Sequence, residues 1–582
     1  MRWLVLAVLS CVMTGALIAE DVDISPYDFP YGYPFPDYPT AGASHPSLSG
    51  DYMREPPCPQ RGGGGRRKRI GQYALRLIQT DRVEEAIDFC NEYLEKYPGL
   101  MTQELLFMRA LAQTQLGDID AAAVSMNEAI DYAAIPPTRF LAGPRRLFLP
   151  LHEHPDFVAL RAEHLNEPLH GPMLGVMTDS SVRVWVRTVD AMPVRVLVSE
   201  CADMGDPIRS DAVMTRPEDD YTAVVEITGL APDTHYHYAL LLGEEEHPYA
   251  TVHQQFRTFP TANEPARFQI AFGGCSGYVP PNERMWDTVL AARPTAMLTL
   301  GDNVYIDDPE SPDQNHYCYY QRQSRHEWRR LVGRTPVYAI WDDHDFGMDD
   351  SWGGPEIDIP YWKPMVWEIF KQNWVNPSYG GGPEQPGVWF DFQIADVHFI
   401  MLDGRYYRED GGRRGEGIEN PSMLGPVQLA WLKETLTNSD ATFKVLVSPV
   451  SWHDGAKPGQ SGLDTWKGHR GERAEIFGWI DAHEIEGVVL LSSDRHRSDA
   501  YRHDRPEGYD LYEFGSGQYT NLHTHGIMPA SLFGYNEKPS FGLVTFDTAS
   551  ASPTVTYQIV NIEGQTMHEL AVPLDDLRFT DE

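Results

Sequence analysis

The segment Trp341-Asp342-Asp343-His344-Asp345 follows directly on the apolar, β-prone run Pro336-Val337-Tyr338-Ala339-Ile340. In α/β sheets, ligands bind in the crevice outside the carboxyl ends of such strands. Adjacent carboxylates repel one another, and a multivalent cation removes that cost. Taken alone, the cluster reads equally well as a solvated acidic turn. Recurrence separates the two readings. Gly273-Gly-Cys-Ser-Gly277 follows the strand-like Phe268 to Ala271, and Gly301-Asp-Asn-Val-Tyr-Ile-Asp307 follows Ala296 to Leu300. Ser448-Pro-Val-Ser-Trp-His453 follows Phe443 to Val447, and Ser492-Ser-Asp-Arg-His-Arg-Ser-Asp499 follows Val488 to Leu491. Such a gathering of Cys, Asp, Tyr and His is the donor set a polynuclear metal site requires. Hard carboxylate oxygens suit calcium or magnesium, while thiolate with phenolate suits a more oxidising ion such as ferric iron.

The segments GDNVY, WDDHD and SSDRH, in that order and after a strand ending in Cys, make residues 268 to about 525 resemble the PhoD-like alkaline phosphatases. These form a branch of the calcineurin-like metallophosphoesterases. The resemblance implies a four-layer αββα core with metals at its sheet edge. It implies an exported phosphoesterase that hydrolyses monoesters, diesters or both with metal-activated water, using iron (Fe3+) and calcium (Ca2+) or other divalent ions. Carried over residue by residue, Cys275, Asp302 and Tyr305 correspond to iron ligands, with Asp302 bridging to the calcium-type ion. Asp343 corresponds to the ligand after the third strand, and Asp349 falls where the family often has a liganding Asn. Asp494 and His496 carry an Asp-x-His pattern, with Ser492-Ser493 replacing the family's usual Ser-Gly before it. His344, Asp343 and His496 are the expected catalytic groups, with His344 aiding the leaving group. Asn303, His453, Arg405 and Arg495 are expected at the substrate phosphate.

Each of these residues has a plainer reading. Cys275 alone reads as an inert buried thiol and Tyr305 alone as core packing. His453 and His496 fit a ligand, a phosphate contact or a structural hydrogen bond equally. Arg405, Arg495 and Arg497 serve a phosphate bidentately or a salt bridge in so acidic a chain. The loop Gly411 to Gly417 is expected to help cover the site. The His-rich Asn521 to His525 is given no metal role.

The net charge of −37 over 582 residues opposes nucleic-acid or anionic-membrane binding, both of which need basic surface. An anionic substrate, here a small phosphate ester, must therefore be drawn in by local cations. Residues 1–19 read as an export signal: Arg2, an apolar stretch, then Ala16 and Ala19. No other run approaches a membrane-spanning length. Export permits disulfides, but Cys58, Cys90, Cys201, Cys275 and Cys318 make an odd count.

Residues 20–69 are Pro- and Gly-rich and read as a disordered linker. Residues 70–165 show two helical hairpins phased like tetratricopeptide repeats, a surface for a protein partner or a structural appendage. Residues 168–260 alternate like a fibronectin-type β-sandwich, and 266–582 form the catalytic domain. The expected architecture is therefore multidomain: helical repeats, a sandwich and an α/β metallophosphoesterase domain. Two other functions stand beside the first: phosphodiester or phospholipase D-like hydrolysis, and a helical scaffold with a degenerate catalytic domain. Removing residues 24 to 165 is expected to spare an enzyme's rate and to cost a scaffold its partner.

Overall fold

The structure, a computed structural model, describes residues 70–96, 102–132, 136–243, 254–413 and 417–580. The expected signal and linker lie outside the described residues, as does Cys58. Among the described residues no helix is long and apolar enough to cross a membrane. Cys90, Cys201, Cys275 and Cys318 are all free thiols, with Cys201 exposed and the others buried.

The chain opens with helices Ile70–Gln79, Val83–Lys96, Thr102–Leu116 and Ile119–Asp131, each packed on its neighbour in sequence. Asp118 caps the last of these by accepting from the Ala121 amide, as an N-cap aspartate does. The first helix is buried along its whole length from Ile70 to Ile78, its polar Gln72 and Arg76 included. An all-round buried helix needs cover on every side. Part of that cover comes from the helix Pro312–Gln323, more than two hundred residues further along the chain.

Residues 170–257 build two antiparallel sheets. One holds His170–Gly175, Ser181–Arg187 and Thr222–Thr228. The other is centred on Pro193–Ser199 paired with His235–Leu242. Thr222–Thr228 alternates buried and exposed positions, the period of a half-covered strand. The Tyr236 hydroxyl accepts from the Ala231 amide and pins the turn that precedes its strand.

Two mixed sheets follow. The six-stranded one runs in the order Val337–Ile340, Ala296–Leu300, Arg267–Gly273, Ser540–Asp547, Thr554–Asn561, Thr566–Pro573. Its first three strands are parallel and the rest antiparallel. The seven-stranded sheet has a parallel core of Val397–Met401, Phe443–Val447, Val488–Ser492 and Leu511–Ser516. Helices such as Met285–Ala291, Gly425–Asn438 and Arg470–Ala482 make the crossovers that parallel strands need. Tyr557 of the first sheet stacks on Phe514 of the second at 4.7 Å and donates its hydroxyl to the Gly515 carbonyl at 2.7 Å. The two sheets thus share one apolar interior.

Register sets where the loops emerge. Thr299 lies opposite Gly273, and Leu300 opposite Ile340. In the second sheet Val447 lies opposite Leu491, and Ser492 opposite Gly515. Parallel strands that end in step release their polar loops along one edge.

Candidate metal centre

The loops meet because two glycines let backbone touch backbone. A Cβ on Gly274 would sit 2.3 Å from Ser493 Oγ and 2.8 Å from the Gly301 carbonyl. One on Gly301, at φ +96°, would fall 2.4 Å from Asp342 Cβ. The neighbouring side chains are then held in left-handed backbone: Cys275, Asp302, Asp307, Asp494 and His496 have φ of 58°, 50°, 48°, 67° and 47°. Such positions cost of order 1–3 kcal/mol each and gather where geometry serves chemistry. The acidic segment after Ile340 folds as a single helical turn, Asp343–Phe346. Asp342 caps it, and Asp345 answers in a reciprocal capping box.

Among the described residues, three side-chain groups bring potential ligand atoms within 4.8 Å of one another: Cys275, Asp302 and His496; Asp302, Asp343 and His344; and Asp343, Asp350 and Asp464. Asp302 joins the first two. Its Oδ2 accepts from the Tyr305 hydroxyl at 2.8 Å, while its buried Oδ1 has no hydrogen-bond partner. Asn521 Nδ2 donates to the same Tyr305 hydroxyl at 2.7 Å. His344 Nδ1 meets Asp307 Oδ1 at 2.6 Å, and its Nε2 lies 3.8 Å from Asp349 Oδ1.

Electrostatics decide which group suits a cation. Without one, burial and the neighbouring Asp302, Asp494 and Asp342 push the Cys275 thiol well above its ordinary range. Burial and the Asp302 carboxylate do the same to Tyr305. Asp302 itself rises to about 7 through burial, with Asp343 and Asp494 adding to it and His344 only partly offsetting it. Acids forced to keep their protons mark a deficit of positive charge that a bound cation would fill. The third group already has cations beside it, although burial and the neighbouring Asp464 still raise Asp350 to about 7. Lys457 Nζ lies 3.5 Å from both Asp350 Oδ1 and Asp494 Oδ2, and Arg413 reaches Asp350 at 2.7 Å. Arg405 and Arg408 reach Asp464 at 3.0 and 3.1 Å. Burial opposes ionisation of Asp494, but Lys457 and Arg495 hold its carboxyl down to about 2. Asp302, whose buried Oδ1 has no hydrogen-bond partner, therefore fits a metal better than the ion-paired Asp350–Asp464 side does.

A cavity of about 570 Å³ opens over these groups, lined in part by Tyr305, Asp343, His344, Asp494, Arg495 and His496. Cys275 and Asp302 lie buried beneath it. Asp349 also lines the cavity, but its neighbour Asp350 is the one that joins the buried carboxylates. Three residues expected at a substrate phosphate are employed elsewhere. Arg405, fully buried, spends its guanidinium on Asp342, Asp464 and the Ser351 carbonyl. Asn303 donates to the Ile340 carbonyl and to Asp345. His453 stacks on Tyr501, and its Nδ1 accepts from the Gly455 amide. Each lies in a loop that follows a strand ending at the site, and packing commits hydrogen-bonding groups of each side chain to the protein, although the Asn303 Oδ1 has no hydrogen-bond partner.

Sequence reasoning missed Lys457, Arg413 and Asp307. Lys457 stands in the Gly-Ala-Lys-Pro-Gly loop beyond the strand Phe443–Val447, and that position was its one available signal. His523 and His525 face each other with Nε2 atoms 2.8 Å apart, and both line the cavity. Arg495, which can only donate, gives a hydrogen bond to His525 Nδ1 at 2.9 Å, so the His525 proton sits on Nε2 and points at His523. That arrangement leaves His525 no lone pair for an ion.

The match to a family model, PhoD-like phosphatase, spans residues 270–564, and a second model, a domain of unknown function, spans 166–259. Alkaline phosphatase D of Bacillus subtilis (strain 168) is 23% identical over 361 residues, covering 53% of this chain and 59% of that protein. The chain thus spans well under two thirds of that relative's length. A solved structure of PhoD superposes with a TM-score of 0.54 at 17% identity, covering 68% of this chain and 91% of the other. Purple acid phosphatase PPD1 from yellow lupin (Lupinus luteus) seeds gives 0.53 at 12% identity, covering 71% and 76%. At these identities the two structures share the fold.

Proposed function

The chain belongs to the PhoD-like phosphatase family, and on that premise we propose that it is a hydrolase of phosphoric esters acting by metal-activated water. The observation that carries this reading is Asp302, with a partnerless buried oxygen at the junction of two ligand groups. Iron is the proposed ion beside Cys275, Asp302, Tyr305 and His496, and calcium beside Asp302 and Asp343; the thiolate–phenolate and carboxylate donor sets support that division. A cation held by these residues would supply Lewis acidity for a phosphoryl oxygen and for a water nucleophile.

The chain's own residues supply the rest. Arg495, Lys457 and Arg413 line the cavity and balance the carboxylates of Asp494 and Asp350, which lessens the repulsion an anionic phosphate would meet there. His344, oriented through Nδ1 by Asp307, presents Nε2 toward the cavity as the acid for the departing oxygen. Proton donation matters most when the leaving alkoxide is strongly basic. His344→Asn is therefore expected to lower kcat for an alkyl phosphate by roughly 10²–10⁴-fold and for 4-nitrophenyl phosphate far less. Equal losses on both substrates would remove His344 from that role.

A phenolate bound to ferric iron absorbs visible light. The protein as purified should contain iron by elemental analysis and show a band that Tyr305→Phe abolishes. A colourless, iron-free and fully active enzyme would refute the Cys275 and Tyr305 assignments.

The finer parts of the reading are proposals of the same kind. Export rests on the Arg2-to-Ala19 leader pattern, and the fibronectin-like sandwich on the two antiparallel sheets over residues 170–257. The αββα layering rests on two facing mixed sheets with helical crossovers, and the tetratricopeptide-like reading on two consecutive helical hairpins. Monoester against diester preference is decided by kinetics on both substrates side by side.

A further inference from the structure

The loop that carries Asp302, Tyr305 and Asp307 is gripped from behind by the helical region. Gln72 Nε2 donates to the Ile306 carbonyl at 2.8 Å, and Gln314 Nε2 donates back to the Gln72 carbonyl at 2.9 Å. Arg76 Nη2 pairs with Asp308 Oδ2 at 2.9 Å, the two side chains only 6% and 1% exposed. Gln79 Nε2 reaches Ser311 Oγ at 2.8 Å. Contact is close enough that a Cβ on Gly71 would lie 1.8 Å from the Tyr317 hydroxyl oxygen.

What these contacts fix is specific. Asp308 adjoins Asp307, the partner of His344 Nδ1, and the Ile306 amide donates to the His344 carbonyl at 3.0 Å. An ion pair this deep returns little net stability, because desolvation of both ions offsets their attraction. It does confine geometry, since Asp308 cannot shift without giving up its buried contact with the Arg76 guanidinium. Removing residues 24 to 165 would strip these partners away, so that deletion does not separate an enzyme from a scaffold.

We propose that Arg76 and Gln72 are positioning residues for the loop from Asp302 to Asp308, making the helical region a working part of the hydrolytic site. Only the kinetic arm of the test rests on the phosphoesterase reading. Hydrogen exchange followed by mass spectrometry on the full chain reads the loop directly, through the Val304 amide, bonded to Asp345, and the Ile306 amide, bonded to His344. In Arg76→Met, exchange across 303–308 is expected to accelerate at least tenfold while helix Thr102–Leu116 keeps its protection. kcat is expected to fall about 10–100-fold, the range for groups that orient metal ligands, with KM within about twofold. Arg76→Lys, which keeps the charge, should recover part of both effects.

Gln72→Ala, which removes one hydrogen bond, gives the same pattern on a smaller scale and serves if Arg76→Met does not fold. Unchanged loop exchange in both variants overturns the proposal. So does faster exchange confined to the helices with wild-type kcat per folded molecule, the signature of a merely structural contact. If the wild-type protein hydrolyses no phosphate ester, the proposed function fails, and accelerated loop exchange still upholds the coupling.

Discussion

Asp302→Asn is expected to reduce turnover of 4-nitrophenyl phosphate by about 10²–10³-fold, the scale on which a preorganised charge at a reacting centre is lost, while leaving the protein folded. The substitution is nearly isosteric, and asparagine tolerates the left-handed backbone of this position, φ 50°, as well as aspartate does. The Tyr305 hydroxyl can still donate to the amide oxygen, so the local hydrogen bond survives. What disappears is the single carboxylate common to both ligand groups. Metal content by elemental analysis should fall with activity. Thermal stability of the apo protein should hold or rise, because a buried acid pushed up to about 7 by burial and its neighbours is no longer carried. A fully active Asp302→Asn variant with wild-type metal content would refute the assignment.

The second large effect concerns stability. Arg405→Met is expected to cost about 3–5 kcal/mol at neutral pH, the range for removing one partner of a buried ion pair. Arg405 is fully buried and faces Asp342 at 2.6 Å and Asp464 at 3.0 Å. Burial alone would raise the Asp464 carboxyl, yet Arg405, Arg408 and Lys457 hold it far below the usual carboxylate range. Its folded pKa is therefore depressed. The stability it contributes is full above the unfolded value of about 3.9 and is lost as pH falls through the folded one. The penalty in Arg405→Met should accordingly be largest near neutrality and shrink below about pH 4. Urea unfolding of both proteins between pH 7 and pH 3 measures this directly. A penalty that is small or independent of pH would show that Arg405 acts by packing rather than by charge.

These two effects differ in how far the sequence announces them. Asp302 could be read without coordinates because it follows a largely apolar strand and a glycine, a local pattern with a local cause. Asp343, Cys275 and Asp494 share that logic, and the structure brings the loops of three in-register strands of one sheet against the loop after Val488–Ser492 of the other. Arg405 follows a strand in the same way, yet its side chain turns inward to Asp464, fifty-nine residues away in sequence. Position at a strand end limits where a residue lies and leaves its direction open. The same gap separates Asp349 from Asp350: one step along a turn divides a half-exposed carboxylate from a buried one.

From its amino acids alone, this chain declares an α/β domain with chemistry at successive strand ends, because apolar runs and the polar loops after them are written in adjacent residues. Tertiary structure alone decided that Lys457 and three arginines surround one carboxylate group while Asp302 keeps a buried oxygen without a hydrogen-bond partner. It alone also placed Arg76 against Asp308, 232 positions away. Charge balance and buried pairing depend on which surfaces meet in space, and no local pattern of residues records that.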